Sequence, residues 1–554
     1  MMYREVRGLH QAAYVLAVLT FGSQLLALVR DRLLAHQFGA GSELDLYYTA
    51  FRIPDLLYVL FASTLSVYVL IPFVAERMRN EHKEAAQLLL SRVFSLFVIV
   101  YIVLGLALAI GAPQVVGVVF PGLAAQHDLL VWLIRILLLQ PLLLGVSSLF
   151  GVITQLQHRF VLYALSPLLY NLGIIVGLLF LYPLYGIYGL VWGVILGALA
   201  HLLIQLPLVL PSHLAPRPTL SIPWKEIAPI LRTSIPRALT LSLHQLVLLV
   251  LIAVAGSMTV GSVSVFQFAF NLQSVPLAII GVSYSVAAFP LLAQLYAERQ
   301  FAQFARHIET AMRHILFWSV PVIALAIVIR AQFVRVVLGS GAFDWDDTRL
   351  TAAVFALFML SLAAQAIYLL VVRALYAAGN TRLPFYVTLG SSLCAVGAAL
   401  TCHQLVVSVP ALAEWLAALM RLEGVSGIEV LALPLGYSFA MLVSTKVLVL
   451  LARKELRIRL RTIGGHALQT VLAGFGGGVV AYFALNILVS VLHTELLLGI
   501  LLQGFLAGIA GICGTALVYF LLGNEELREV SEALKRRIFK TEVVAPQDED
   551  HLAV

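Results

Sequence analysis

The chain has 554 residues, of which 61% are hydrophobic and only 11% charged, with a formal net charge of +7. A soluble domain carries roughly 25% charged residues, so this chain cannot cover a water-facing surface of its size, and lipid must be its main solvent. Its three cysteines, Cys394, Cys402 and Cys513, have no CxxC or Cys/His ligand spacing, which argues against a disulfide framework or a zinc site.

Apolar runs long enough to span a bilayer recur from end to end. They lie near 11–34, 46–75, 92–111, 128–154, 161–182, 185–210, 236–256, 263–293, 314–330, 350–377, 384–403, 431–452, 467–490 and 495–522. The expectation is an all-α polytopic membrane protein of about 14 transmembrane helices. The first run follows Arg4 and Arg7 as in a signal peptide, but no small-residue cleavage site follows it, so an uncleaved first helix is expected. Residues 404–430 form an insertion in which VPALAEWLAALMRL reads as an interfacial amphipathic helix. The polar tail, ending in PQDEDHLAV, reads as disordered after a short helix.

Basic residues test this map, because Lys and Arg collect in cytoplasmic loops. With the N-terminus inside, the inner segments hold 26 of the 35, among them Arg77, Arg79, Lys83 and Arg92, then Arg217, Lys225, Arg232 and Arg237, and Arg453 to Arg461. The opposite segments 112–127, 183–184, 257–262 and 491–494 hold none. Both termini are therefore expected in the cytoplasm, with an even number of spans. The positive charge is mostly a topology signal, and nucleic-acid binding is not expected.

The sequence also repeats. IPFVAERMRNEHKEAAQLL at 71–89 is echoed by FPLLAQLYAERQFAQFARHI at 289–308, with Pro72 and Pro290 218 residues apart. At that offset PQVVGVVF (113–120) falls on AQFVRVVL (331–338). Six helices per repeat give two halves of like orientation, with substrate expected between them. The expected division is an N-lobe at 1–215, a C-lobe at 216–455, extra helices 13 and 14 at 456–525, and a cytoplasmic tail at 526–554. In the extra pair, Gly474 with Gly478 and Gly504 with Gly508 suit close packing against a neighbouring helix.

Ionisable groups at membrane depth are costly unless paired or facing a water-filled cavity. Arg30-Asp31-Arg32 ends the first helix, Glu43 and Asp45 lie in the connection, and Arg52 and Asp55 lie inside the second. Asp31 and Asp45 read equally as a lock between helices or as functional groups. Arg30 and Arg52 read more readily as functional, since a guanidinium suits phosphate. Arg135 and Lys446 read as residues that reach an interface. Pro54, Pro72, Pro141, Pro167, Pro276 and Pro290 are expected to kink helices. The Asp-Trp-Asp-Asp run at 344–347 reads as a solvated turn or a weak cation site. GxxxxGK[ST], HExxH and GxSxG are all missing, so no catalytic residue, ATP hydrolysis or metal site is expected.

The stretch FGSQLLALVRDRLLAHQFGAGSELDLYYTAFRIPDLLYVLFA at 21–62 resembles the opening of the MurJ/MviN family of lipid II flippases, within the superfamily that holds the MATE exporters. IPFVAE (71–76) and RALYAAGNTRLPF (373–385) look like family segments too. The resemblance covers roughly 10–525. It implies that Arg30 contacts the substrate's pyrophosphate in a central cavity, with Asp31, Asp45, Arg52 and Ser23 matching family positions. Three family arginines are Gln24, Tyr58 and Asn271 here, and an acidic-glycine pair is Ser63-Thr64. These neutral residues can still line a polar cavity.

The function implied is a lipid II flippase working by alternating access in the bacterial cytoplasmic (inner) membrane. The implied partners are a lipid-linked glycan of undecaprenyl-pyrophosphate type, membrane lipids and cell-wall synthesis proteins. No cofactor is implied. Because the seventh helix, 236–256, has no acid, the energy source is left between the membrane potential and a monovalent cation. Alternatives are a related flippase or exporter for another lipid-linked oligosaccharide or amphiphile, a non-transporting scaffold, and a membrane enzyme.

Overall fold

The computed structural model describes residues 9–64, 67–80, 83–490 and 496–538, without the side chains of 9–17, 62–69, 80, 233, 236, 237, 460–462 and 533–538. Expectations for the segment with Arg4 and Arg7, for the Ser63-Thr64 side chains and for the tail beyond 538 fall outside the described residues.

The only regular structure among the described residues is helical, with no strand. In chain order the helices are α1 (Leu9–Phe38), α2 (Ser42–Ala50), α3 (Arg52–Thr64), α4 (Val67–Asn80), α5 (Lys83–Val119), α6 (His127–Leu137), α7 (Leu139–Leu156), α8 (Phe160–Val176) and α9 (Ile187–Leu203). They continue with α10 (Trp224–Ala255), α11 (Ser262–Leu277), α12 (Ser283–Ala297), α13 (Phe301–Val328), α14 (Arg330–Leu338), α15 (Trp345–Met359) and α16 (Leu362–Ala377). The last are α17 (Arg382–Ser408), α18 (Pro410–Met420), α19 (Ala432–Ala452), α20 (Leu460–Val489), α21 (Leu497–Leu521) and α22 (Glu525–Ile538).

Eleven segments are long and apolar enough to cross a bilayer, and twelve with the bent pair α15–α16 counted as one span. These match the third to fourteenth expected spans. The count of fourteen is not reached among the described residues. The first expected span falls on α1, part of whose side chains lie outside the description. The second is interrupted at Phe51, between α2 and α3, and its residues 65–66, between α3 and α4, fall outside the described residues.

Proline chemistry explains two breaks. Pro54 offers no N–H to the carbonyl four residues earlier, and the helix interrupts between Ala50 and Arg52. Pro141 does the same, and α6 ends at Leu137 before α7 begins. Pro72, Pro167, Pro276 and Pro290 lie inside continuous helices and do not interrupt them. A wide π turn does follow Pro276, at Ala278–Val282. The 43° bend between α15 and α16 has no proline at all. There Ser438 of α19 donates to the Leu357 carbonyl at 2.7 Å, satisfying a backbone group near the bend.

Glycines set the closest packing. A Cβ on Gly177 would lie 2.4 Å from the Gly193 Cα, and one on Gly173 2.2 Å from the Gly197 Cα, so α8 and the wide turn after it touch α9 backbone to backbone. This seam fixes α8, which also packs on α1. Gly177→Val should therefore destabilise the bundle by at least the ~1–3 kcal/mol typical of overpacking, read as a lower thermal midpoint by fluorescence-detected size-exclusion chromatography. An unchanged midpoint would show that the two helices can part freely.

In the last pair of spans, Gly474 faces Val320 and Gly478 faces Ala324 of α13, as the small-residue spacing suggests. α22 docks through Arg313, which pairs with Glu525 at 3.1 Å and Glu526 at 3.5 Å. In the 404–430 insertion α18 is helical, with Trp415 and Leu419 exposed one turn apart.

Candidate functional site

The site is built on α11. Its apolar face is pinned by aromatic contacts: Phe266 and Phe270 lie 5.2 and 5.6 Å from the Phe358 ring, which in turn lies 5.6 Å from Tyr437. Another face presents Ser264, Gln267 and Asn271, spaced i, i+3 and i+7, and so one polar stripe along the helix.

Each member of that stripe meets one charged residue from the first helices of the chain. Asp45, at the start of α2, accepts from the Gly261 amide at 2.6 Å, the Ser264 amide at 2.8 Å and the Ser264 hydroxyl at 2.6 Å. It thus holds the N-terminus of α11, where a negative charge is favoured. Arg52 donates to Gln267 Oε1 at 2.5 Å and to the Tyr48 carbonyl at 3.2 Å. Asn271 donates to Asp31 Oδ2 at 2.9 Å and accepts from Gln267 at 2.6 Å.

Arg30 closes the chain. Its guanidinium donates twice to Asp31 Oδ1, at 3.0 and 2.7 Å, and once to Asn171 Oδ1 of α8 at 2.8 Å. Asp31, Asp45, Arg52 and Asn171 are all buried, and the Arg30 side chain is nearly so. One connected path therefore runs Asn171–Arg30–Asp31–Asn271–Gln267–Arg52. Its two arginines are balanced by Asp31 and by Asp55, which accepts from Gln140 and lies close to Arg52. A buried set of charges that neutralises itself is tolerable at membrane depth.

Of the expected site residues, Arg30, Asp31, Asn271 and Arg52 come together, and Asp45 sits further along the same stripe. Ser23 and Gln24 do not touch them. They lie seven residues before Arg30 and Asp31, two turns or about 10 Å along α1 on the corresponding faces, with Gln24 exposed. Tyr58 bonds instead to Ser148 of α7. Sequence reading missed Asn171, Gln267 and Ser264. The polar stripe on α11 was the available signal.

Arg135 does not join the site: it stacks 5.0 Å over Trp132 and donates to the Ala109 carbonyl. In the 344–347 run Asp344, Trp345 and Asp346 are exposed, as a solvated turn requires, and only Asp347 departs from that reading. Asp344 caps α15 by accepting from the Asp347 amide, and Asp347 Oδ2 accepts from the Ala40 amide at 3.0 Å. That contact straps the turn after α1 to the first turn of α15. Arg32 supports it by donating to the Val336 and Val337 carbonyls, and the Ala342 amide donates to the His36 carbonyl. No group of three or more possible metal-ligating residues occurs among the described residues.

At the other end of the bundle, α10 packs along α3. There Glu226 accepts from Arg77 at 3.0 Å and from Arg92 at 2.5 Å. Partial burial alone would raise the Glu226 pKa, but Arg92 and Arg77 outweigh it and hold the group below its ordinary 4.5. A depressed carboxyl pKa contributes stability that is present above the unfolded value and is lost as pH falls through the folded value. The thermal midpoint of the native protein should thus exceed that of Glu226→Gln near neutral pH, and the gap should close as pH drops below 4.5. A gap that persists in acid would mean the carboxylate charge is not what holds the clamp.

The fold and this path of crossing polar contacts define a polytopic membrane carrier, in which two sets of helices meet across buried charges. Solved structures of this class superpose on it. "Lipid II flippase MurJ, inward closed conformation" matches with a TM-score of 0.71 at 21% identity, covering 92% of this chain and 99% of that one. A multidrug resistance MATE family transporter of the MOP superfamily in an inward-facing conformation matches with a TM-score of 0.63 at 16% identity, covering 80% and 98%. The sequence model described as Lipid II flippase MurJ matches residues 34–502, and the chain belongs to that family. A probable lipid II flippase MurJ of Buchnera aphidicola subsp. Baizongia pistaciae is 25% identical over 382 residues, 68% of this chain and 74% of its own length. The lipid II flippase MurJ of Burkholderia cenocepacia is 24% identical over 392 residues, 69% of this chain and 76% of its own length.

Proposed function

We propose that this chain carries lipid II, a lipid-linked peptidoglycan precursor, across the bacterial cytoplasmic membrane by alternating access, with both termini in the cytoplasm. The observation that supports it most is the self-neutralised path between Arg30 and Arg52, in a chain of the lipid II flippase family. In this orientation the Asp45 and Asp347 contacts form an outer seam and the Glu226 clamp an inner one.

An arriving pyrophosphate competes with Asp31 for the Arg30 guanidinium. Arg30 can turn to phosphate only by loosening Asp31, and Asp31 is the residue that Asn271 holds across the seam. Substrate binding is thereby coupled to opening, because it weakens a contact that exists only in the closed state. Gln24 and Ser23 lie inward of this point on α1 and would meet the headgroup first. The undecaprenyl chain stays in lipid throughout. Movement of net charge through the site would let the membrane potential contribute about 2.3 kcal/mol per charge per 100 mV.

The test is replacement. Bacteria depleted of their own lipid II flippase should show lipid II on the outer leaflet again when they express this chain. A correctly inserted protein that restores none would point to another lipid-linked glycan, a reading that the neutral Gln24, Tyr58 and Asn271 favour.

A further inference from the structure

A cavity lies beyond the N-terminal end of α11, and none of the residues of the Asn171–Arg52 path lines it. About 660 Å³ in volume, it opens between the α10–α11 loop, the end of α17, α18 and the turn at Ile428–Leu431. Val406, Val407 and Ala413 give it an apolar wall, while Thr259, His403 and Glu429 supply its polar edge. Glu429 Oε1 accepts from the Thr259 amide at 3.0 Å and from its hydroxyl at 2.5 Å, so the carboxylate is held in place by neutral donors. No Lys or Arg lines the cavity, and no ion pair to Glu429 occurs among the described residues.

Depth narrows the choice of ligand. The wall formed by α18 carries exposed Trp415 and Leu419 on adjacent turns, the pattern of a helix lying at the membrane–water boundary. A wall of Val and Ala beside a fixed carboxylate, at headgroup depth, complements a molecule with apolar chains and a cationic head. Anionic headgroups would meet Glu429 with no guanidinium or ammonium to compensate. We propose that this cavity binds a zwitterionic, ammonium-bearing lipid headgroup, with Glu429 receiving the ammonium and the Val406–Ala413 wall receiving the start of the acyl chains. Only the leaflet depends on the proposed function: there the cavity faces the outer one. Headgroup binding itself is read without transport.

The experiment uses the full chain in nanodiscs holding equal amounts of ethanolamine and glycerol phospholipids, released into a mass spectrometer under native conditions. Preferential retention of the ethanolamine lipid is expected. Glu429→Gln keeps an acceptor for Thr259 but removes the charge, and should lower that retention about tenfold, the loss of roughly one charged hydrogen bond. Ala413→Phe narrows the apolar wall without altering Glu429 and should lower it as well. Equal retention of both lipids by the native chain, or retention that survives either variant, would overturn the proposal. Intact headgroup selectivity in a chain that fails the replacement assay would count against the flippase reading alone.

Discussion

Arg30→Ala should abolish lipid II transport, and Arg30→Lys should retain only a small part of it. The Arg30 guanidinium spans Asp31 and Asn171 at once, a fork that a single lysine ammonium cannot reproduce. Each charged hydrogen bond to the substrate is worth about 1.5–3 kcal/mol, so removing two of them corresponds to roughly 10²- to 10⁴-fold. Folding complicates the alanine variant. Asp31 is only 4% exposed, and stripping the partner from a buried charge costs about 3–5 kcal/mol. The double variant Arg30→Ala with Asp31→Asn removes that orphaned charge and should recover most of the thermal stability. Transport, measured as outer-leaflet lipid II per folded molecule, should remain absent in it. If transport returns together with stability, Arg30 serves only to neutralise Asp31, and the phosphate contact must be sought elsewhere.

What the sequence discloses follows from physics that acts locally. A run of apolar residues long enough for a bilayer is visible without a partner, so the twelve spans from α5 to α21 are legible. Arg30, Asp31 and Arg52 are legible because a charge at membrane depth is expensive wherever it packs. Their partners are not. Asn171, Gln267 and Ser264 are neutral polar residues that apolar helices carry in many roles, and only their seats opposite Arg30, Arg52 and Asp45 give them one. Prolines of one sequence pattern behave differently in the fold. Pro54 and Pro141 interrupt helices whereas Pro72 and Pro290 do not, because a freed carbonyl can be accommodated by its surroundings, which a sequence does not display. Asp347 is hidden for a similar reason. Among three acids it looks solvated, yet its backbone partner Ala40 lies 307 residues away in the chain.

Asp45→Ala should shift the protein toward an outward-open form. In the closed arrangement Asp45 takes three hydrogen bonds, from two amides and one hydroxyl at the start of α11, and its charge complements the helix N-terminus. Removing it leaves the Gly261 amide and the Ser264 amide and hydroxyl without their partner while the seam stays closed. Opening lets water reach them and relieves that cost, so the penalty falls on the closed state alone. At about 1 kcal/mol or more per unsatisfied group, the equilibrium moves by some 3 kcal/mol, or about 10²-fold. Arg32, Asp347 and the Asp31–Asn271 contact still act on the closed side, so a measurable closed fraction should remain. Spin labels at Ala125 and Val260, in a chain freed of its three cysteines, would report the separation across the seam by pulsed electron resonance. A longer-distance population should grow in Asp45→Ala, and Asp45→Asn, which keeps an acceptor but not the charge, should fall between. Identical distance distributions in all three chains, with transport unimpaired, would reduce Asp45 to a helix cap without a part in gating.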